Sequence, residues 1–269
     1  MKLTYLGTSA AEGFPAIFCS CEYCREARRL KGKNIRSRSQ SLINDDLLID
    51  FPPDSYYHFL RDGIDAGAIK YLLITHGHID HYFQRDLLRR MRPYAFELSE
   101  PVLKIICSST IASGIDVTDK NIEITVIKAF ETVKVGDYEI TALPARHAPG
   151  TEAFIYIIKG DKTLLYAHDT GYFYDSVFNY IKENGIVFDT ISLDCSNVDF
   201  PIEDSSGHMA FDNISRVLKR LYAIGAITDA TPKYVSHFSH KGNALQEPLE
   251  KQAAEYGCLV SYDGCKVEI

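Results

Sequence analysis

Three histidines and one aspartate lie within the six residues 76–81. His76, His78, Asp80 and His81 directly follow an apolar run at residues 71–74, which is typical of a buried strand. Imidazole and carboxylate groups are common ligands of divalent transition metals. Four ligands in so short a span can hardly fill the coordination sphere of one ion. We therefore predict two metal ions, one held by the first two histidines and its neighbour held by Asp80 and His81.

This H-x-H-x-D-H pattern resembles the signature of the metallo-β-lactamase superfamily, which defines a hydrolase fold rather than a lactamase activity. The family pattern requires three further ligands downstream, and His147, Asp169 and His237 each follow an apolar, strand-like run. The resemblance implies two divalent ions, zinc or manganese, bridged by Asp169. The other ligands would be His76, His78 and His147 for one ion, and Asp80, His81 and His237 for the second.

A second group of metal-binding side chains lies near the N-terminus. Cys19, Cys21 and Cys24 place three thiols within six residues, a density that suits the tetrahedral site of a structural zinc ion. A fourth ligand is missing locally. His240 is the natural candidate, because the short turn that separates it from His237 could aim the two imidazoles at different sites. The isolated cysteines are expected to be buried as small apolar residues: Cys107, Cys195, Cys258 and Cys265.

The N-terminal C-x-C-x2-C, the histidine motif and the terminal H-x-x-H together resemble the PhnP-type phosphodiesterases, over nearly the whole chain. These enzymes belong to phosphonate breakdown by the carbon-phosphorus lyase route. The resemblance implies hydrolysis of 5-phosphoribosyl 1,2-cyclic phosphate to a phosphomonoester, and it suggests a homodimer. PqqB, a protein of cofactor biosynthesis, shares the cysteine cluster in outline, so the cluster alone does not select the substrate.

Hydrolysis of a phosphodiester at such a site needs a nucleophile and an acid. Two divalent ions about 3.5 to 4 Å apart can lower the pKa of a bridging water and hold the non-bridging phosphate oxygens. The leaving sugar oxygen departs poorly unless it is protonated, and a positioned acid contributes about 10²- to 10⁴-fold. By the resemblance, His208 in the segment S-S-G-H-M donates this proton. We predict His208 and Asp80 as the catalytic residues, without a side-chain nucleophile.

Three other functions stay open, and one of them is a nucleotide phosphodiesterase of another type. A nuclease of the tRNA 3′-processing type resembles this chain in the same ligand set and histidine, but it normally uses a basic, flexible arm to hold RNA. The most basic segment here, residues 25–33, could instead be a solvated helix. A PqqB-like, non-hydrolytic protein of cofactor biosynthesis is disfavoured, because the full ligand set and His208 are all present.

Donors for a substrate phosphate are expected beside the ligand loops. The candidates are Arg146, the turn at Thr8 and Ser9, and Lys241 with Gly242, and the alternative for each is a surface group without a substrate contact. Glu152 would repel a second phosphate if its side chain faced the pocket.

Length and composition set limits on the fold and on the partners. A chain of 269 residues with 46% hydrophobic residues can bury a sizeable core. No linker or low-complexity run divides it, so we expect a single metallo-hydrolase domain over residues 1–269. The net charge of −7 makes nucleic acid an unlikely partner and favours a small phosphorylated substrate.

The cellular compartment can be inferred from targeting segments and from cysteine content. No apolar stretch follows the first two residues as a secretory signal would require, and no eighteen apolar residues run together as a membrane span needs. We therefore expect a cytoplasmic protein without a membrane partner. Seven cysteines are an odd number, and disulfides are disfavoured in a reducing compartment, which supports zinc ligation by the cluster.

The elements that must position these residues follow from the hydrophobic periodicity. Strand-like runs alternate with helical stretches, which favours an α+β fold, an αββα sandwich of two mixed sheets with outer helices. Loops at the strand ends would bring all seven ligands of the two ions to one edge. In one helix, Phe211, Ile214, Leu218 and Leu221 recur at near-helical spacing and should face the core. The predicted strands are 3–6, 41–43, 47–50, 70–74, 102–106, 122–127, 138–143, 154–158, 163–166 and 190–193, and the predicted helices are 54–61, 84–91, 172–182 and 211–222.

Overall fold

The computed structural model describes residues 1–115, 121–147, 150 and 152–269. Within them, two mixed sheets of seven strands each pack face to face, and helices lie on the outer faces. This is the αββα sandwich that the alternation of strands and helices predicts. None of the described helices is long and apolar enough to cross a membrane.

The first sheet has the strand order β14-β1-β2-β3-β4-β5-β6. Its strands are β1 (Lys2–Gly7), β2 (Gln40–Ile43), β3 (Leu47–Ile49), β4 (Tyr71–Leu73), β5 (Leu103–Cys107), β6 (Ile122–Val126) and β14 (Cys265–Glu268). The second sheet has the order β13-β12-β11-β10-β9-β8-β7. Its strands are β7 (Thr132–Val135), β8 (Tyr138–Pro144), β9 (Phe154–Lys159), β10 (Thr163–Ala167), β11 (Thr190–Asp194), β12 (Lys233–Ser236) and β13 (Leu259–Val260).

Seven α-helices fall within the described residues, besides 3-10 turns such as Leu88–Arg90. The α-helices are α1 (Glu22–Leu30), α2 (Ser55–Asp62), α3 (Gln84–Leu87), α4 (Ser109–Gly114), α5 (Asp175–Glu183), α6 (Phe211–Ala223) and α7 (Gln246–Glu255).

Two predicted helices differ in extent from those in the structure. The helix predicted at 84–91 is a short α3 that tightens into a 3-10 turn ahead of Pro93, since the residue before a proline avoids helical geometry. The helix predicted at 172–182 begins only at Asp175, because Phe173 is buried in the core and Tyr174 is extended. The basic stretch at 25–33 falls mostly in α1, where Arg28 donates to main-chain carbonyls and Arg29 bonds to Glu26.

Three apolar layers hold the sandwich together. The layer between the sheets joins Tyr5 and Leu73 of the first sheet to Tyr156 and Leu164 of the second. A further layer lies beneath α5, α6 and α7, and a third covers the outside of the first sheet. The predicted stripe of α6 and the four isolated cysteines are all buried, as expected from burial of apolar area.

Candidate metal centre

Strand direction brings the predicted ligands together. β3 and β4 are parallel to one another, and so are β10, β11 and β12. The histidine motif follows β4, Asp169 follows β10 and His237 follows β12. Because parallel strands end at the same edge of a sheet, these side chains converge where the two sheets meet. His147 reaches the same edge after β8.

Three residues at these strand ends adopt left-handed backbone conformations. The φ angles are +65° at Asp50, +57° at Asp169 and +65° at His237. Residues other than glycine avoid this region, at a cost of about 1–3 kcal/mol each, and such strain clusters at functional sites. The backbone of Asp50 bonds to the Leu73 carbonyl and to the Gln40 side-chain amide, and the Asp169 amide donates to Asp194 Oδ2.

The first cluster contains His76, His78 and His147, whose ligand atoms all lie within 4.8 Å of one another. Nε2 of His147 is 3.0 Å from Nδ1 of His78. The His76 Nε2 atom is buried and has no hydrogen-bond partner in the described structure. Three nitrogens that converge in this way fit one divalent ion.

The second cluster contains Asp80, His81, Asp169 and His237, again within 4.8 Å. Nε2 of His81 is 3.2 Å from Nε2 of His237 and 2.5 Å from Oδ2 of Asp169. Asp169 also reaches the first cluster, with its Oδ2 atom 3.5 Å from Nε2 of His76. The structure thus brings together all seven predicted ligands and places Asp169 between the two groups.

Four of the histidines are oriented in the same way, with Nδ1 toward an oxygen atom. A proton on Nδ1 leaves the lone pair of Nε2 free to bind a metal. This arrangement fits two divalent ions, since every one of these Nε2 atoms points into a cluster. The facing oxygens are Thr75 Oγ1 for His76 (3.0 Å), Asp50 Oδ2 for His81 (2.7 Å), the Gly207 carbonyl for His147 (3.2 Å) and Asp194 Oδ2 for His237 (3.3 Å).

Asp169 is the buried carboxylate that lies against imidazoles of both clusters. Burial opposes ionisation of Asp169, but His237, His81 and His76 hold its pKa well below its ordinary value. Burial lowers the pKa of His76 well below the ordinary value, and His81 adds to this effect. A neutral His76 and an ionised Asp169 are the forms that bind metals.

Asp50 and Asp194 contact histidines of the centre, and the sequence motifs did not indicate them. The Asp50 carboxylate accepts hydrogen bonds from the Thr75 backbone and hydroxyl and from His81. Asp194 lies beside both His208 and His237. Each follows a buried apolar run, which is the signal that Asp169 also carries. Carboxylates that orient metal-bound histidines in this way raise their basicity.

His208 lies at the rim of the centre in the loop before α6. Its Nδ1 atom is 3.1 Å from Oδ2 of Asp194 and 3.2 Å from Oδ1 of Asp169, and its side chain is 26% exposed. The loop is held tightly, because a Cβ atom on Gly171 would meet the Ser206 carbonyl at 1.8 Å. His208 is therefore fixed through one ring nitrogen, and part of the ring is open to solvent.

The cysteine cluster is assembled beside α1. The ligand atoms of Cys19, Cys21, Cys24 and His240 all lie within 4.8 Å of one another. Cys21 Sγ is 3.7 Å from Nδ1 of His240, and this contact lowers the pKa of Cys21 to about 6 although burial opposes it. The Ala16 amide donates to Cys24 Sγ at 3.3 Å. The donor set fits a closed structural zinc site, and the segment after β12 thus reaches both centres.

We expect Cys21→Ala to remove about one zinc ion per chain and to lower Tm, because a structural zinc site contributes its binding energy to folding. Elemental analysis and thermal unfolding would measure both effects. Cys107→Ala is the matched control, since Cys107 is buried away from the cluster. Equal zinc content in wild type and Cys21→Ala would contradict the assignment.

The predicted phosphate donors differ in burial and in their hydrogen-bond partners. Thr8 and Ser9 are fully buried and bond to Asp263 and to the Phe238 carbonyl, so the prediction that their hydroxyls meet a substrate is wrong. Arg146 is half-buried near the centre, with Nε bonded to the Tyr172 carbonyl. Lys241 is exposed. The Glu152 carboxylate accepts hydrogen bonds from Ser109 and Thr110 at the start of α4, and these bonds hold it against that helix.

Comparison with known proteins agrees with this fold. A family model described as "Beta-lactamase superfamily domain" matches residues 47–238 of the 269-residue chain. Coenzyme PQQ synthesis protein B from Methylobacterium radiotolerans is 28% identical over 124 residues, 41% of this chain and 41% of that protein. The chain spans about half the length, or less, of the curated relatives that it matches.

Solved structures are similar over the full length. A diphosphatase from the PhnP family superposes with a TM-score of 0.75 at 21% identity, covering 100% of this chain and 97% of that one. The human short-form tRNase Z gives a TM-score of 0.68 at 14% identity, covering 100% and 99%. At such identities the likeness shows the metallo-β-lactamase fold. Since the family model covers most of the chain, and both ligand-bearing sheets match that fold, the protein belongs to the β-lactamase superfamily.

Proposed function

We propose that this protein is a dinuclear-metal phosphodiesterase of the PhnP type. Its substrate would be a small cyclic sugar phosphate such as 5-phosphoribosyl 1,2-cyclic phosphate, which it would open to a phosphomonoester during phosphonate catabolism. One cluster of three histidines and a second cluster that contains Asp169, 3.5 Å from His76 of the first, support a pair of divalent ions. The three cysteines and His240 support the narrower PhnP-type assignment.

The observation that carries the proposal is the placement of His208. Its Nδ1 lies against the buried carboxylate of Asp194, and Asp194 and Asp169 raise its pKa although burial opposes this. The ring is thereby held at the edge of the metal centre, where a leaving group would be reached. A proton held there suits a general acid, whose pKa works best near the pH of the reaction.

In the proposed reaction, the supporting carboxylates and His208 have separate roles. Bound divalent ions would activate water and neutralise charge on the phosphate. Asp50 and Asp194 hold His81, His237 and His208 in one orientation each. His208 would hold the proton that the departing sugar oxygen requires. Because Asp194 contacts both the metal ligand His237 and the proposed acid His208, it would fix the position of the acid relative to the metal centre.

A tRNA 3′-processing nuclease is the alternative that the human tRNase Z fold supports. RNA binding needs free basic side chains that contact phosphates. In the most basic segment, Arg28 is engaged by the carbonyls of Ala16 and Cys19, and Arg29 by Glu26. This engagement favours a small substrate. A non-hydrolytic role in cofactor biosynthesis would match the relative from Methylobacterium radiotolerans but gives His208 no task.

The test is phosphorus NMR of 5-phosphoribosyl 1,2-cyclic phosphate with the purified protein and Mn²⁺. We expect the ring to open to a phosphomonoester, and a chelator that removes the ions to stop the reaction. Bis-nitrophenyl phosphate and a tRNA precursor serve as comparison substrates. Hydrolysis of the nitrophenyl diester without ring opening would mean that the protein is a phosphodiesterase with a different substrate. Cleavage of the tRNA precursor would support the nuclease.

A further inference from the structure

A chain of polar groups lies behind the metal centre, on the side of Asp50 that faces away from the ligands. It runs from Asp263, in the loop before β14, through Ser37 and His58 to Gln40 at the start of β2. His58 and Gln40 are fully buried. Burying these polar groups is costly unless each has a partner, and none of them is a metal ligand.

The hydrogen-bond directions at Gln40 are determined by its neighbours. Its Nε2 atom donates to the Asp50 carbonyl at 3.0 Å and to Ser55 Oγ at 2.9 Å. Ser55 must accept, because its own proton goes to the Pro52 carbonyl. The Gln40 Oε1 atom therefore faces His58 Nδ1 at 2.6 Å, and Nδ1 must carry the proton.

The other end of the chain shares one further proton. His58 Nε2 is 2.6 Å from Ser37 Oγ, which is 2.5 Å from Oδ2 of Asp263. The proton lies either on Asp263, with a neutral His58, or on His58, with a carboxylate. In both forms the Ser37 hydroxyl joins the two groups. Asp263 is anchored by the Ser37 amide and the Thr8 hydroxyl, both at 2.7 Å.

This chain ends on a strained residue of the metal centre. Asp50 has a φ of +65°. Its carboxylate is held by Thr75 and contacts His81 Nδ1 at 2.7 Å, while its carbonyl is held by Gln40. A strained conformation persists only when its surroundings determine it. If the carbonyl lost its donor, the residue could relax and turn the carboxylate away from His81.

We propose that His58 and Gln40 are positioning residues for the metal ligand His81, acting through Asp50. Neither residue belongs to the clusters of predicted metal ligands. The inference rests on the proposed metal centre but not on the proposed substrate. Mutation of the hydrogen-bond partner of a metal-bound histidine typically changes metal affinity by about 10- to 100-fold, and residues one step further out, such as His58 and Gln40, should lie at the lower end of that range.

Substitutions at His58 separate its two nitrogens. An asparagine amide can take the position of Nδ1 and donate to Gln40, whereas a glutamine amide takes the position of Nε2 and reaches Ser37. We expect His58→Gln to raise the Kd of a divalent ion about tenfold and His58→Asn to change it less than about twofold. The readout is Mn²⁺ and Zn²⁺ affinity of the full chain, measured by competition with a chelator. Phe59→Leu on the same helix controls for a general loss of stability.

A second variant guards against misfolding at His58. Gln40→Met keeps the shape but removes the donor to the Asp50 carbonyl, and it should match His58→Gln in metal affinity. The positioning role is overturned if His58→Asn weakens binding as much as His58→Gln, or if Gln40→Met binds like wild type. An error in the proposed substrate would be recognised separately. If the wild type binds two ions but does not open the cyclic diester, the substrate is wrong, and the metal affinities of the variants still test the positioning role.

Discussion

Replacing His208 by alanine is expected to slow the hydrolysis of a diester with a sugar alkoxide leaving group by about 10²- to 10⁴-fold. The alkoxide is strongly basic, so its departure depends on a proton supplied as the bond breaks. The His208 ring is held by Asp194 and is 26% exposed, and the seven predicted ligands form their two clusters without it. Its loss should therefore remove the acid and leave the metal centre intact.

A nitrophenol leaving group needs little protonation and provides the comparison. Turnover of bis-nitrophenyl phosphate should fall much less in His208→Ala than turnover of the cyclic sugar phosphate. Metal content measured on the same samples should equal that of wild type. Equal losses on both substrates would refute the acid role and indicate instead that His208 supports the ions or binds the phosphate.

Local pattern indicated the fold class and the histidine motif, whereas the family resemblance was needed to select the downstream ligands. The four ligands at 76–81 are close in sequence, so their spacing alone reports a site. Strand-like runs before His147, Asp169 and His237 placed those residues at strand ends, and the structure brings them to one edge. The stripe of α6 was predictable because helical periodicity repeats within a single element.

Contacts that depend on strand register were not predictable. Asp194 supports His237 because β11 and β12 pair in parallel with Asp194 opposite Ser236. No local spacing encodes that register. Thr8 was misassigned for the same reason, since its partners Arg36 and Asp263 come from distant segments that the sheet brings together. Polar residues at strand ends can face a substrate or a buried network, and only tertiary structure distinguishes the two.

Asp194→Asn is expected to reduce both metal affinity and hydrolysis, whereas His208→Ala should reduce hydrolysis alone. The Asp194 carboxylate lies 3.1 Å from His208 Nδ1 and 3.3 Å from His237 Nδ1, and it accepts from the amides of Ser196 and Met209. An amide has only one acceptor atom, so either the two histidines on Oδ2 or the two backbone amides on Oδ1 would face an NH₂ group. We expect metal affinity to fall about 10- to 100-fold and alkyl diester hydrolysis to fall about 10²- to 10⁴-fold.

The Asp194→Asn and His208→Ala variants can be distinguished by their activity on the two substrates and by their response to added Mn²⁺. Asp194→Asn should also slow the nitrophenyl diester, because His237 is a metal ligand, and part of that loss should be recovered at high Mn²⁺. Asp189→Asn, at the opposite end of β11, is the matched control, since Asp189 accepts from Thr163 and pairs with Lys162 far from the centre.

The double variant with His208→Ala tests whether both residues act through one proton. Once His208 is gone, Asp194→Asn can cost only what it contributes through His237, so the combined loss should be smaller than the product of the two single losses. A fully multiplicative loss on the alkyl diester would mean that Asp194 does not act through His208. In that event the carboxylate serves the metal ligand alone, and the acid is oriented by Asp169.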